Sequence, residues 1–159
     1  MTLREQIVAE STSWIGTPYV DHQGLKHCGT DCAFFPLRIC QAVGRAPLDF
    51  KVPYYSPQQW INGRSQIDKM KLRVVDTTME DIVLRLAKRE ITEAEALPGD
   101  FVLYKVVASW THLAVIIRWP DYVLHPIKHI GVCGSHGTNE GFWARTPRRF
   151  FSILNEGEE

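Results

Sequence analysis

The hydrophobic pattern of the chain changes its period at the segment "LPGD", residues 97 to 100. Before this segment, apolar residues recur at helical spacing. After it, short apolar runs rich in branched and aromatic residues alternate with turn-like breaks, which is typical of consecutive antiparallel strands. These runs are "FVLYKVV", "HLAVIIRW" and "YVLHP". Helices followed by strands predict an α+β domain, with the N-terminal helices packed on one face of a central antiparallel sheet.

Two helical stretches carry clear start signals. "TLRE" fits a capping box in which Thr2 pairs with Glu5, and this helix is expected to stop at Gly16, where "GTP" breaks the pattern. Its buried stripe is expected to contain Leu3, Ile7, Trp14 and Ile15. In "TTMEDIVLRLAKRE", Thr77 and Glu80 fit a second cap. This later helix is expected to bury Ile82, Val83, Leu86 and Ala87.

Another helical stretch runs from Asp31 to Val43 and is closed by Gly44. Pro36 lies inside it, and a proline past the first turn removes a backbone hydrogen bond and clashes with the preceding turn. We therefore expect either that the helix begins later than Asp31 or that its first turn is distorted.

Two stretches lack a regular pattern. Residues 45–76 hold three prolines and an Asn-Gly pair, which predict a long surface excursion. Residues 129–146 are rich in glycine, which predicts a turning loop that could border a cleft. The basic and aromatic segment "RTPRRFF" that follows is expected to form a solvated edge beside core phenylalanines.

The length of 159 residues fits a single domain spanning residues 1–159. Eighteen basic and eighteen acidic side chains cancel, so no net field attracts nucleic acid or an anionic membrane. The first residues carry both signs of charge, unlike a secretory signal, and no apolar run reaches the length of a membrane span. We therefore expect a protein made in the cytoplasm, with no nucleic-acid partner and no membrane span.

The cysteines are expected to be reduced, because no export signal accompanies them. They are Cys28, Cys32, Cys40 and Cys133. Cys40 continues an apolar face and is expected to be a core residue. Cys32 lies at the start of the helical stretch, where the helix dipole and unpaired backbone N–H groups lower the pKa of a thiol and offer donors to an oxyanion. Cys32 is therefore a candidate nucleophile, and a buried core cysteine is the alternative.

Two histidines lie at the ends of neighbouring predicted strands. His112 begins "HLAVIIRW" and His125 ends "YVLHP". In an antiparallel pair, the start of one strand lies opposite the end of the next, so the two histidines are expected to meet. A nucleophile, a base and a group that orients the base are what acyl transfer by a thiolate requires. Each histidine taken alone is more often a hydrogen-bonded structural residue than a catalyst.

Four motifs follow the order and approximate spacing of NlpC-type cell-wall cysteine peptidases, a family of the papain-like superfamily. They are "SWIGTPYVDHQG", "GTDC", "LPGDFVLY" and "THLAVIIRWPDYVLHP". The chain resembles most closely the branch that phages and prophages encode and that is associated with tail tips, because "HQG" follows the Pro-Tyr pair and "VPYYSPQQW" follows the nucleophile helix. The resemblance covers most of the chain and implies a papain-like, NlpC-type fold.

The resemblance also implies a role for each matching residue. Cys32 would be the nucleophile, His112 the general base and later acid, and His125 the residue that orients the imidazole. Tyr19 would place a hydroxyl near the oxyanion, and Asp31 would help to shape the substrate side of the site. The alternatives are that Tyr19 is an ordinary core residue with its hydroxyl bonded to the backbone, and that Asp31 is only a helix cap. The implied substrate is an amide bond of a peptidoglycan stem peptide, typically between γ-D-glutamate and a diamino acid. The resemblance implies no metal or cofactor, and phage tail proteins are further implied partners.

One position departs from the family pattern. The cysteine is usually followed by Ser-Gly, whereas Ala33 and Phe34 stand here. A hydroxyl near the nucleophile is therefore lost. The departure leaves open a non-catalytic tail component or wall-binding module with the same fold.

A structural zinc site is a further alternative. Three residues separate Cys28 from Cys32, and two separate Cys133 from His136, so these four ligands could close a tetrahedron. The spare donors are His22 and His27. A zinc site would leave the two strand histidines unexplained.

Overall fold

The computed structural model describes residues 1–52, 55, 79–106, 109–138 and 144–158. Within these residues the helices are α1 (Leu3–Thr12), α2 (Phe34–Ala42) and α3 (Met79–Leu86), and a 3₁₀ turn spans Glu93–Glu95. The strands are β1 (Gly24–Leu25), β2 (Gly29–Thr30), β3 (Arg89–Ile91), β4 (Phe101–Val106), β5 (Ser109–Arg118), β6 (Tyr122–Ile127), β7 (Gly131–Ser135) and β8 (Arg148–Ser152). The predicted α+β class is confirmed.

The main sheet has six strands in the order β3-β8-β4-β5-β6-β7, and every neighbouring pair is antiparallel. Strands β4 to β7 follow one another in sequence and in space, whereas β8 returns to lie between β3 and β4. A small separate ribbon joins β1 to β2. The strands that carry the two candidate histidines, β5 and β6, are therefore interior strands.

The predicted capping box of α1 is confirmed. The backbone N–H of Glu5 donates to Oγ1 of Thr2, and the N–H of Thr2 donates to Oε2 of Glu5 at 2.7 Å. The helix ends at Thr12, before the predicted stop, and Trp14 is buried in the turn that follows. Ile15 is 44% exposed, so its predicted place in the buried stripe is wrong, because the helical period ends before it.

Helix α2 begins at Phe34, so of the two expectations the start later than Asp31 is the correct one. Pro36 is then the third residue of the helix. The first backbone N–H groups of a helix have no carbonyl partner within it, so a proline at this position costs no hydrogen bond.

Helix α3 covers the predicted third helix, and it buries Met79, Ile82, Val83 and Leu86. Ala87 follows the helix and is partly buried against the same core. The predicted cap at Thr77 lies outside the described residues.

The sheet has buried apolar residues on both faces. The larger cluster combines the helices with one face, and includes Ile7, Phe35, Ile82, Leu113 and Phe151. A smaller cluster lies on alternate strand positions, and includes Val102, Tyr104, Ile116 and Phe150. Burial on both faces explains why β4 and β5 are continuous apolar runs in the sequence.

The glycine-rich segment after β6 is a strand for part of its length, so the predicted loop is wrong there. Strand β7 pairs with β6 from Val123 opposite Ser135 to Ile127 opposite Gly131. Gly134 leaves room for the ring of Tyr122, because a Cβ at residue 134 would lie 2.1 Å from that ring in its present position.

The segment "RTPRRFF" contains β8, which lies inside the sheet and not at a solvated edge. Phe150 and Phe151 face opposite sides of this strand and are 4% and 0% exposed. The two phenylalanines belong to the two different apolar clusters, so β8 helps to build both faces of the core.

Candidate active site

Cys32 lies two residues before α2, and its side chain is 5% exposed. Its thiol donates to the backbone carbonyl oxygen of Thr111 in β5, with 3.6 Å between sulfur and oxygen. Thr111 directly precedes His112. The start of α2 therefore holds the candidate nucleophile against the strand that carries the candidate base.

Burial raises the pKa of Cys32 well above that of a free thiol, and the neighbouring Asp31 carboxylate raises it further. The backbone N–H of Cys32 and the Tyr19 hydroxyl lower the pKa, but by less. The predicted lowering of this pKa by the helix start is therefore wrong. Cys32 rests as an uncharged thiol.

The capping of α2 by Asp31 adds to the effect of burial on the thiol. Oδ1 of Asp31 accepts the backbone N–H groups of Ala33 and Phe34, each at 3.0 Å. These are the donors that were expected to stabilise a thiolate or an oxyanion. Since Asp31 already binds them, the positive end of the helix is neutralised beside Cys32.

The other oxygen of Asp31 joins two more segments of the chain. Oδ2 accepts the backbone N–H of His22 at 2.7 Å and the hydroxyl of Tyr55. The rings of His22 and Tyr55 also contact each other, with 4.3 Å between their centroids. Asp31 is 1% exposed, so its carboxylate anchors the loop around Cys32 from within. Its role on the substrate side stays a prediction.

Tyr19 lies near Cys32 because its backbone forms a bridge with Thr30, two residues before Cys32. Its hydroxyl lies close enough to Cys32 and Asp21 for the groups to shift one another's pKa: the hydroxyl lowers the pKa of Cys32, and Asp21 raises that of Tyr19. Burial and the surrounding negative charges raise the pKa of Tyr19, so the hydroxyl keeps its proton and remains a donor.

The two strand histidines meet. Nε2 of His112 lies 2.9 Å from Nδ1 of His125, as antiparallel pairing of β5 and β6 predicted. Burial, with a further contribution from His125, holds the pKa of His112 well below its usual value. Burial lowers the pKa of His125 to about 4. Both rings are therefore neutral at pH 7, and their catalytic roles stay predictions.

A third residue of this hydrogen-bonded chain was missed from the sequence. Nε2 of His125 lies 2.7 Å from Oγ of Ser135, at the end of β7. Ser135 falls in the stretch that was predicted to be a loop, and only the pairing of β7 with β6 reveals its position. The chain of contacts thus runs from His112 through His125 to Ser135.

Ala33 and Phe34, which stand where the family usually has Ser-Gly, fit into the packing around the cysteine. Ala33 is fully buried, and Phe34 packs against Gly24, where an added Cβ would lie 2.9 Å from the Cβ of Phe34. Nε of Arg38 donates to the carbonyl oxygen of Gly24 at 2.9 Å, which fixes this approach. The absence of a side chain at residue 24 therefore makes room for the larger residue after the cysteine.

The segment before Tyr19 is bonded to the edge strand β7. The N–H of Gly16 donates to the carbonyl of Val132 at 3.0 Å, and the N–H of Val132 donates to the carbonyl of Thr17 at 2.9 Å. Gly131 has φ of 94°, and a Cβ there would lie 2.4 Å from the carbonyl oxygen of Thr17. One strand thus supports the Tyr19 segment at one end and carries Ser135 at the other.

Within the described ranges, no group of three or more His, Cys, Asp or Glu side chains is arranged to hold a metal ion. The four candidate zinc ligands are described residues, and the structure does not gather them.

No helix among the described residues is long and apolar enough to cross a membrane.

The described elements define an α+β domain with a cysteine before a helix and a histidine pair on adjacent strands. Solved NlpC/p60 domains share this fold. That of the peptidoglycan hydrolase SagA has a TM-score of 0.54 and 20% identity, with 92% of this chain and 96% of that chain covered. A P60 domain of an antigen from M. avium subspecies paratuberculosis has a TM-score of 0.57 and 15% identity, with 96% of each chain covered.

The peptidoglycan hydrolase RipB from Mycobacterium tuberculosis is also similar, with a TM-score of 0.58 and 17% identity. The match covers 96% of this chain and 65% of RipB. No protein-family model and no curated protein matches the sequence. The likeness to solved structures, at these identities, establishes the fold.

Proposed function

We propose that this protein is a cysteine peptidase of the NlpC/p60 family that hydrolyses an amide bond in peptidoglycan stem peptides. The observation that carries the proposal is the Cys32 thiol bonded to the carbonyl of Thr111 in β5, the residue directly before His112, which is itself hydrogen-bonded to His125. The fold supports the same conclusion, since the neighbours SagA and RipB are named as peptidoglycan hydrolases.

In the first step His112 accepts the proton of the Cys32 thiol, and the sulfur attacks the carbonyl carbon of the amide. The carbonyl oxygen becomes an oxyanion. The backbone N–H of Cys32 and the hydroxyl of Tyr19 are its donors, because both lie close enough to the sulfur to lower the pKa of the thiol. The N–H groups of Ala33 and Phe34 are not used, because Asp31 binds them.

In the second step the protonated His112 donates its proton to the amine, the C–N bond breaks, and a thioester on Cys32 remains. Water then attacks the thioester while His112 takes one of its protons. The thioester bond breaks, the acid is released, and the thiol is restored. His125 holds the imidazole in place throughout.

The buried site makes the first proton transfer unfavourable before substrate binds. The pKa of Cys32 is raised and that of His112 is lowered, so the neutral pair is favoured over a thiolate and an imidazolium. Contact between the sulfur and the substrate carbonyl offsets this cost, because charge moves onto an oxyanion that has donors ready. The thiol must also leave the carbonyl of Thr111 in order to react.

The finer substrate and setting follow from the sequence resemblance. The proposed bond joins γ-D-glutamate to the diamino acid of the stem peptide. The proposed setting is a phage or prophage tail, in which the domain acts on the cell wall during infection. Mass spectrometry of purified virions tests the setting, and the chain's absence from virions that are otherwise complete would contradict it.

Digestion of purified peptidoglycan tests the chemistry. Wild type, Cys32→Ala and Cys28→Ala are compared, and released fragments are identified by mass spectrometry. Cys28 is exposed and serves as the matched control for the loss of a thiol. We expect stem-peptide fragments from wild type and Cys28→Ala and none from Cys32→Ala. Fragments from folded Cys32→Ala would contradict the assignment of the nucleophile.

A wall-binding module without activity is the second candidate function. The uncharged thiol bonded to Thr111 and the replacement of Ser-Gly by Ala33-Phe34 favour it. Binding of the folded wild-type protein to sacculi, with no fragments released at any pH tested, would support this candidate over hydrolysis.

A further inference from the structure

We propose that Ser135 is a positioning residue that sets which ring nitrogens of His125 and His112 carry protons. In this role Ser135 keeps His112 in the tautomer that can accept the proton of Cys32. The inference rests on the proposed function for the role of His112. The positions of the protons on His112 and His125 can be measured whether or not the protein is an active peptidase.

The geometry leaves two hydrogen positions to be decided. One hydrogen lies in the 2.9 Å contact between Nε2 of His112 and Nδ1 of His125. Another lies in the 2.7 Å contact between Nε2 of His125 and Oγ of Ser135. A neutral imidazole carries a single ring proton, so the donor in one contact fixes the donor in the other.

Only two arrangements satisfy both contacts when the rings are neutral. In the first, His112 donates from Nε2, His125 donates from its own Nε2, and Ser135 accepts. In the second, Ser135 donates to His125, which donates from Nδ1 to His112. The ring proton of His112 is then on Nδ1, so neither of its ring nitrogens can serve as the base. Catalysis requires the first arrangement.

The position of Ser135 favours the first arrangement, in which its Oγ accepts the hydrogen bond from Nε2 of His125. Ser135 is partly exposed on the edge strand β7, so water can take its hydroxyl hydrogen while Oγ accepts from His125. His125 is 1% exposed, so water is a poor substitute for Oγ of Ser135 as the acceptor of its Nε2–H. In this arrangement Nδ1 of His125 also directs a lone pair at His112, which stabilises the positive charge that forms when His112 takes a proton.

Long-range ¹H–¹⁵N NMR of the imidazole nitrogens tests the inference directly. The parent protein is Cys32→Ala, in which no thiolate can share a proton with His112. The added changes are Ser135→Ala, Ser135→Asp and the control Ser13→Ala. Ser13 lies at the end of α1, where its hydroxyl donates to the carbonyl oxygen of Glu10 and accepts from Nζ of Lys26.

We expect both histidines of the parent to carry their protons on Nε2 at pH 7. Ser135→Ala should move a measurable fraction of His112 to the Nδ1–H form, because the N–H of His125 loses its acceptor. Ser135→Asp should restore the Nε2–H form, since a carboxylate only accepts. Ser13→Ala should match the parent. An Nδ1–H tautomer of His125 in the parent, or unchanged tautomers in folded Ser135→Ala, would overturn the inference.

Kinetics with Cys32 present separate the two proposals. If the wild type cleaves peptidoglycan, Ser135→Ala should lower kcat about fivefold, the effect of one ordinary hydrogen bond, with KM unchanged. An unchanged kcat would count against the positioning role. If the wild type releases no fragments, the proposed function fails, and the NMR result still decides the placement of protons by Ser135.

Discussion

The carboxylate of Asp31 accepts the backbone N–H of Phe34 at 3.0 Å, and the same carboxylate raises the pKa of the adjacent Cys32. One side chain thus stabilises the start of α2 and opposes ionisation of the thiol. Loss of the Asp31 carboxylate should therefore lower the stability of the fold and make the Cys32 thiol easier to ionise.

Asp31→Asn should destabilise the protein and lower the pKa of Cys32. Asparagine retains one acceptor oxygen, but its amide nitrogen cannot accept the bonds from His22 and Tyr55, which predicts a loss of about 2–4 kcal/mol. Urea unfolding measures the loss, and the pH dependence of thiol alkylation reports the pKa. The exposed Asp49→Asn is the control. An unchanged alkylation profile in folded Asp31→Asn would show that the charge of Asp31 does not act on the thiol.

The stability of the protein should fall as the pH drops from 6.5 to about 4. Burial lowers the pKa of His125 to about 4, so the unfolded chain binds more protons than the folded chain in this window. The stabilisation is complete above pH 6.5, and the part due to His125 amounts to at most about 3 kcal/mol. Urea unfolding at several pH values measures it.

His125→Asn should make this pH dependence shallower, because it removes one of the two histidines whose pKa is lowered by folding. The exposed His129→Asn is the matched control, and asparagine tolerates its positive φ of 69°. Equal slopes for His125→Asn and wild type would mean that His125 ionises alike in the folded and unfolded states.

Replacement of the two histidines should give unequal losses of activity. His112→Ala removes the base and should lower kcat by about 10²- to 10⁴-fold. His125→Ala removes the group that orients the base and should cost less. Rates of peptidoglycan cleavage measure both. Equal losses in folded variants would indicate that the two roles are shared or reversed.

Gly131→Ala should destabilise the protein more than Gly157→Ala does. Both glycines have positive φ, and a left-handed alanine costs about 1–2 kcal/mol at either position. Only at Gly131 would the new Cβ meet a backbone atom, 2.4 Å away at Thr17. The difference between the two variants in urea unfolding isolates this close contact. Equal losses would show that β7 can move away from the Tyr19 segment without cost.

Local signals predicted much of the helical and strand framework. The capping box of Thr2 and Glu5 is formed within four residues of chain, and the turn before Tyr122 fixes how β5 pairs with β6. The meeting of His112 and His125 follows from that pairing alone. These features were predictable because neighbours in the sequence determine them.

Features that depend on distant segments were missed. Ser135 reaches His125 only because β7 adds to the sheet edge, although its glycines favour a loop. The raised pKa of Cys32 depends on burial by other segments and on the hydrogen bonds of Asp31. The capping of α2 by Asp31 is local and was foreseen as an alternative role of that residue, whereas the burial that raises the pKa of Cys32 comes from distant segments.

The contact between the Cys32 thiol and the Thr111 carbonyl has a consequence for chemical durability. Peroxides oxidise thiolates much faster than thiols, and they need access to the sulfur. A sulfur that is covered and uncharged at rest therefore resists conversion to sulfenic acid, even where oxidants are abundant. For the proposed nucleophile, the burial that disfavours ionisation of the Cys32 thiol is thus also what protects it from oxidation.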